Sequence, residues 1–243
     1  MPAPAPADPA AHTAAIRQMF AAIAPRYDLL NRLLSFRRDV AWRRAAAAEV
    51  VLPPRGAVLD LCTGTGDLAL EVARQHPAAR SIVGVDLCEP MLRLGRQKVA
   101  GREPRVLLSA GAAEALPFRA GTFDAVLVAF GIRNVTDRAT ALGEMRRVLR
   151  PGGRAILLEF FQPRGTLFAA LYRFYSRALL PRIGGWISGN PEAYTYLPAS
   201  VEAFPEPAAF AEAMRAAGFS GVRWKALTGG IVCIHVGMRE SKE

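Results

Sequence analysis

Cysteine and histidine are both scarce, at three residues each in 243. Cys62, Cys88 and Cys233 form no CxxC pair, so no metal site is expected. An odd number of cysteines, all in or beside strand-like runs, reads as reduced thiols in a cytoplasmic protein. Cys62 has no histidine in an obvious partner position, which argues against a thiol nucleophile. Also missing is any run of the roughly 18 uncharged apolar residues that span a bilayer. Thr166 to Leu180 comes closest, and Arg173 and Arg177 interrupt it. Residues 1–12, MPAPAPADPAAH, lack a positive segment followed by an apolar one, so they do not read as a secretory signal. Their Pro/Ala repetition reads as a disordered tail.

What is present is a chain that can bury a core, with 51% apolar and 21% charged residues and a net charge of +10. That charge suits nucleic acid, an anionic membrane surface or a basic, arginine-rich proteome. The arginines are scattered rather than gathered in a block, which weakens the nucleic-acid reading.

His12 to about Leu34 has apolar residues at helical spacing, broken at Pro25, and a second helix is expected over Val40 to Val51. Residues 13–54 thus form an N-terminal helical arm. From Ala57 strands and helices alternate. Strands are expected at Ala57–Cys62, Ser81–Asp86, Arg105–Ser109, Phe123–Ala129 and Arg154–Phe160. Helices are expected at Asp67–Gln75, Glu89–Ala100 and Asp137–Leu149, the last stopped by Pro151-Gly152-Gly153. This rhythm predicts a doubly wound, mostly parallel sheet over residues 55–243. It lapses over about 161–206, an insertion rich in aromatics, Gly and Pro. A helix at Pro207–Ala217 and strands at Val222–Ala226 and Ile231–Met238 then close the chain with an antiparallel hairpin.

The sharpest local signal is Val58-Leu59-Asp60-Leu61-Cys62-Thr63-Gly64-Thr65-Gly66-Asp67, a strand entering a glycine turn and then a helix. Gly64 and Gly66 let the backbone approach a ligand, and the helix offers free N–H groups. Gly64, Gly66 and Ala69 also satisfy the dinucleotide pattern G-x-G-x-x-A. Two acids tilt the balance. Asp60, before the turn, can meet a cationic amino group and would repel a pyrophosphate. Asp86 ends the second strand about 20 residues past Gly66, where an acid accepts ribose hydroxyls. The pair suits S-adenosylmethionine better than a nicotinamide cofactor. The fold class expected is therefore a Rossmann-like class I methyltransferase dependent on S-adenosylmethionine, with Asp60 and Asp86 as mere caps or surface acids the plain alternative. The loop Gly111-Ala112-Ala113-Glu114 is expected near the adenine, and Gly111 has only main chain to offer.

Three further segments resemble the ubiquinone/menaquinone biosynthesis C-methyltransferases, over about residues 20 to 239. They are Tyr27-Asp28-x-Leu30-Asn31-x-x-Leu34-Ser35 with Trp42, Phe130-Gly131-Ile132-Arg133-Asn134-Val135-x-Asp137, and the stretch from Ile187 to Val201 around Tyr194-Thr195-Tyr196. The last is closer to the menaquinone style than to the ubiquinone style. The resemblance implies methylation of a prenylated quinol ring, demethylmenaquinol foremost, with Thr65, Asp86, Gly111 and Ala112 at cofactor-contacting positions. Asp39 stands where the family usually has His, Phe161 where it usually has Ser, and Gly111 and Ala129 where polar contacts are common.

Methyl transfer is an in-line displacement, so the protein supplies alignment and an activated acceptor. A phenol with a pKa of about 10 is mostly protonated at neutral pH, and a nearby cation lowers that pKa. Arg133 is the expected cation, with Asn134 orienting the phenol or a water; an ordinary loop or ion-pair role for Arg133 is the alternative. Tyr194 and Tyr196 wall the ring, accept its proton, or simply pack. Tyr27, Asn31 and Trp42 form a lid or only pack on the sheet. His235, on an apolar run, reads as a strand histidine beside the core rather than a general base. A prenyl chain implies transient contact with the inner face of the membrane, for which the basic balance and the helix around Leu167–Leu180 are suited. A homodimer is compatible with the sequence. An RNA or other small-molecule methyltransferase of the same fold is the competing class. However, Ala129-Phe130-Gly131-Ile132-Arg133-Asn134 stands where base-methylating enzymes commonly carry Asn/Asp-Pro-Pro-aromatic, so no nucleic-acid partner is expected.

Overall fold

The strand β1 (Ala57–Leu61) is buried along its whole length because it pairs in parallel on both sides. Its neighbours are β2 (Ser81–Asp86) and β4 (Phe123–Ala129), with Leu59 opposite Val83 on one side and Val126 on the other. The computed structural model describes residues 8–163, 165, 174–175 and 191–241, the side chains of the last stretch from Thr195 onward. Strand β3 (Val106–Ala110) lies outside β2, and β5 (Leu149–Phe160) lies beyond β4. Strands β6 (Ser220–Leu227) and β7 (Val232–Met238) complete the order β3-β2-β1-β4-β5-β7-β6. β7 is antiparallel to both its neighbours, as the hairpin required.

Alternate residues of β1 face opposite layers. Leu59 and Leu61 pack with Val126, Met145 and Phe210, whereas Val58 packs with Trp42, Leu68 and Val72. The helices that cover these faces are α4 (Asp67–Gln75), α5 (Glu89–Val99), α6 (Arg138–Val148) and α8 (Pro207–Ala216). The helix α7 (Pro191–Ala203) lies in the expected insertion, of which residues 164, 166–173 and 176–190, and with them most of Leu167–Leu180, lie outside the described residues. Strand order reverses between β1 and β4, which opens a crevice at their carboxyl ends.

The N-terminal arm is α1 (Pro9–Ile23), a 3₁₀ turn over Ala24–Arg26, α2 (Tyr27–Leu34) and α3 (Arg38–Ala47). α1 begins earlier than the expected disordered tail allows. Asp8 caps it, accepting from the amides of Ala10 and Ala11, and Pro9 takes the first turn, where its missing N–H costs nothing. β5 also starts earlier than expected, at Leu149. Pro151-Gly152-Gly153 is not a stop before the strand but a bulge within it. Register against β4 shifts between Phe123 and Ala125, and Gly152 takes φ +78°.

Candidate active site

The turn after β1 is held from beneath by a buried acid. Asp60 Oδ2 accepts from Thr63 Oγ1 at 2.6 Å and from the Ala69 amide at 3.0 Å. Oδ1 has no partner among the described residues, and burial raises the Asp60 pKa to about 7. Gly64 takes φ +56°, and a Cβ there would meet nothing within 4 Å, so the turn leaves open space above it. Gly64 donates its amide to Asp86 Oδ2 at 2.8 Å, and Cys88 donates to Oδ1 at 2.8 Å. Burial raises the Asp86 pKa against these backbone bonds. Gly64, Asp86, Gly111 and Glu114 line one cavity, and α1 closes its far side with Thr13 and Arg17. Each Asp86 oxygen keeps a lone pair for a vicinal diol, and bare backbone at Gly64 opens on empty space, while Gly111 packs close on Val85 and offers main chain. The residues present fit an adenosyl group.

The strand tips carry strain at the same place. Cys62 after β1 and Phe130 after β4 have φ of 55° and 60°, uncommon for such side chains. Burial, with Asp86 adding to it, pushes the Cys62 thiol well above its usual pKa, so it is a poor nucleophile.

A second cavity of about 320 Å³ lies between the arm and the β4 and β5 tips. Phe20, Tyr27 and Phe130 line both cavities and form the wall they share. The second cavity is mostly apolar, with Phe130 and Phe160 stacked at 4.4 Å and Trp42 edge-on to both. Two buried guanidinium groups flank that stack: Arg43 over Phe130 at 5.4 Å and Arg133 over Phe160 at 5.5 Å. Each is paired with a carboxylate. Arg43 Nη1 reaches Asp39 Oδ2 at 2.7 Å, and Arg133 Nη1 reaches Glu159 Oε1 at 2.7 Å. Glu159 is fully buried and also accepts from the amides of Arg133 and Phe160. Tyr27, hydrogen-bonded to Asn31, has its phenol pKa raised by burial, which outweighs the cations Arg43 and Arg133. Tyr196 donates to Asn134 Oδ1 at 3.0 Å, bridging the two cavities, since Tyr196 lines the second and Asn134 the first. Burial raises the Tyr196 phenol as well.

The sequence profile of the ubiE/COQ5 methyltransferase family matches residues 9–239. The chain belongs to that family. It is 53% identical to the ubiquinone/menaquinone biosynthesis C-methyltransferase UbiE of Syntrophotalea carbinolica, over 92% of this chain and 93% of that one. It is 52% identical to the demethylmenaquinone methyltransferase of Thermus thermophilus, over 91% of this chain and all of that one. Among solved structures, the putative methyltransferase bound to the Trm112 activator of Haloferax volcanii superposes with a TM-score of 0.63 at 17% identity, covering 91% of this chain and 99% of that one. A putative methyltransferase from Bacillus halodurans gives 0.59 at 17% identity over 82% and 99%. These neighbours bear out the expected class I methyltransferase fold, and the family makes the chain a methyltransferase.

Several expected contacts of the family member fall elsewhere. Asp60 does not line the cofactor cavity. It lies under the glycine loop with Oδ2 taken by Thr63 and Ala69, which leaves Oδ1 alone without a partner among the described residues. Gly66, at φ +81°, caps α4 rather than lining the cavity. The Thr65 hydroxyl, 2% exposed, donates to Asp28 Oδ1 at 2.6 Å and accepts from Lys98 at 2.9 Å. Those bonds belong to a network that ties α2 to α4 and α5. Lys98 also meets Asp28 and Asp67, and Arg32 links Asp67 to Asp39. Burial pulls the Asp67 pKa up, but Lys98 and the arginines outweigh it and the carboxyl lies below its usual range. Ala112 bridges to Ala115, and Ala113 lines the cavity in its place. Arg133 is not a free cation but half of a buried pair. His235 is fully buried, bonded through Nε2 to Pro207 O at 2.9 Å, and burial lowers its pKa to about 4. It is a core histidine packed on Phe161 and Phe210. The Tyr194 side chain lies outside the described residues. Arg43 and Glu159 were missed. A charge at the tip of the apolar run Ala155 to Phe160 was the available signal for Glu159.

Proposed function

We propose that this chain transfers a methyl group from S-adenosylmethionine to a ring carbon of a prenylated quinol, demethylmenaquinol in preference to a ubiquinone precursor. The observation that carries the reading is the wall of Tyr27 and Phe130 shared by the cavity that holds Asp86 and the Gly64 turn and a mostly apolar one. When bound, the cofactor supplies an electrophilic methyl group. Asp86 holds its ribose, and the Gly64 turn keeps backbone close along it. The apolar cavity excludes water around the quinol ring, and the arm α1–α3 acts as its lid. Arg133 and Arg43 put positive ends of two buried pairs near the acceptor, which favours the phenolate that makes the adjacent carbon nucleophilic. Asn134 Oδ1 accepts from Tyr196 and one Nδ2 hydrogen reaches Phe130 O at 3.5 Å, which leaves the second Nδ2 hydrogen to orient the phenol. The name of the Thermus thermophilus relative and the Tyr194–Tyr196 segment support the menaquinone branch. The prenyl chain implies that the protein works in transient contact with the inner face of the membrane; no helix among the described residues is long and apolar enough to cross it. The test is to incubate the protein with the cofactor and reduced demethylmenaquinone and to look for a singly methylated ring by mass, with RNA in parallel. Methylated RNA and an unchanged quinol would replace this reading with the nucleic-acid one.

A further inference from the structure

The arm leaves one of its corners apolar toward solvent. α2 turns Leu30 and Leu34 inward, toward Ile23 and Tyr27. Leu29 and Leu33, one turn apart on the other side, are 61% and 48% exposed. Just past the helix, Phe36 is 77% exposed and yet stands at the rim of the acceptor cavity. Its backbone and that of Arg37 both take left-handed φ values, 51° and 61°. Two such residues in succession are uncommon, and here they hold a phenyl ring out into water. Phe174, also exposed, and Tyr175, whose ring lies 6.2 Å from that of Phe36, extend the apolar surface. Arg37 and Arg38, both exposed, stand beside it on a chain of net charge +10.

We propose that the α2–α3 corner docks on an anionic phospholipid bilayer, with Leu29, Leu33 and Phe36 among the acyl chains and Arg37 and Arg38 at the headgroups. This rests on the quinol reading for what passes through and adds the surface by which it enters: docking sets the rim of the acceptor cavity against the lipid. The lipid is chosen over a protein partner because the apolar side chains protrude, one of them on strained backbone, and cations flank them. Protruding apolar groups with adjoining guanidinium groups match an interface whose charge is negative and whose interior is fluid.

The experiment compares the wild-type chain with Leu29→Glu/Leu33→Glu and with Arg37→Glu, none of them cavity-lining residues. Co-sedimentation uses vesicles of phosphatidylcholine with phosphatidylglycerol and vesicles of phosphatidylcholine alone. The wild type binds the anionic vesicles, the double variant loses about tenfold or more in partitioning, and Arg37→Glu weakens binding chiefly at low salt. Turnover of a short-chain quinol in detergent stays unchanged in the double variant, while turnover of a long-chain quinol in vesicles falls with binding. Equal binding by the wild type and the double variant overturns the proposal, as does absence of wild-type binding. A dimer that the double variant dissociates, without vesicle binding, overturns it in favour of a contact between copies. Vesicle binding that follows this pattern, with no turnover of either quinol, supports docking and removes the quinol reading alone.

Discussion

The two cavities that meet at Tyr27 and Phe130 are made of different materials. The nucleoside side sets bare backbone at Gly64 and Gly111 beside two acids, Asp86, bonded to amides, and Glu114, with apolar side chains such as Ile16 and Met91 around them. The acceptor side is made of long side chains brought from distant segments, with the pairs Arg43–Asp39 and Arg133–Glu159 buried beside a phenylalanine stack. At Gly64 and Gly111 the contact a ligand can make is with main chain, so it depends on chain conformation. A site built from buried ion pairs depends on both partners of each pair, because either one alone is a stranded charge.

The largest expected break in this comparison is Arg133→Ala. It leaves Glu159 buried without its cation, which costs about 3–5 kcal/mol of stability by urea unfolding, and it abolishes most turnover with cofactor affinity nearly intact. The double change Arg133→Met/Glu159→Gln restores much of the stability and not the turnover; recovery of both would make the pair purely structural. Asp86→Ala strikes the other side. Loss of its charge-assisted bonds is expected to weaken calorimetric binding of S-adenosylhomocysteine by about 100-fold, with thermal stability changed much less than by Arg133→Ala.

Tyr196→Phe removes one hydrogen bond to Asn134, and a fall in kcat of about 5- to 10-fold is expected, with cofactor affinity unaltered. Asp60→Asn is read as a pH profile rather than as a rate. Asp60 in the fold keeps its proton until about pH 7, whereas the unfolded carboxyl releases it near the usual value of 3.8. The fold therefore binds more protons between those values, and this contribution to stability falls as pH rises from about 4 to 7. His235 works the other way: its folded pKa of about 4 lies below 6.5, so its contribution is lost as pH falls. The difference between wild type and Asp60→Asn, by unfolding midpoints from pH 5 to 8, isolates the first term, with the wild type losing ground as pH rises. A pH-independent difference would show that Asp60 is already ionised in the fold at pH 5.

What could be read in the sequence follows the same division. The strand, glycine turn and helix from Ala57 to Gln75 lie next to one another in the chain, so periodicity and turn chemistry locate them. Spacing locates Asp60 at its strand tip but not the bonds that hold its Oδ2 to Thr63 and Ala69 under the loop. Pro151-Gly152-Gly153 looked like a stop and is a bulge, since a glycine at φ +78° serves either purpose. Arg133 and Glu159 lie 26 residues apart on different strand tips, and their pairing appears only when β4 and β5 align. Thr65 likewise found its partners on α2 and α5, far away in the chain.

The most direct measurement is a single turnover with cofactor carrying a ¹³C-labelled methyl group and a short-chain reduced demethylmenaquinone, followed by NMR of the product. Two cavities facing across Tyr27 and Phe130 predict the label on a ring carbon, in the wild type and much less in Arg133→Ala. Label on a phenolic oxygen, or none on the quinol while the cofactor is bound, would contradict the account.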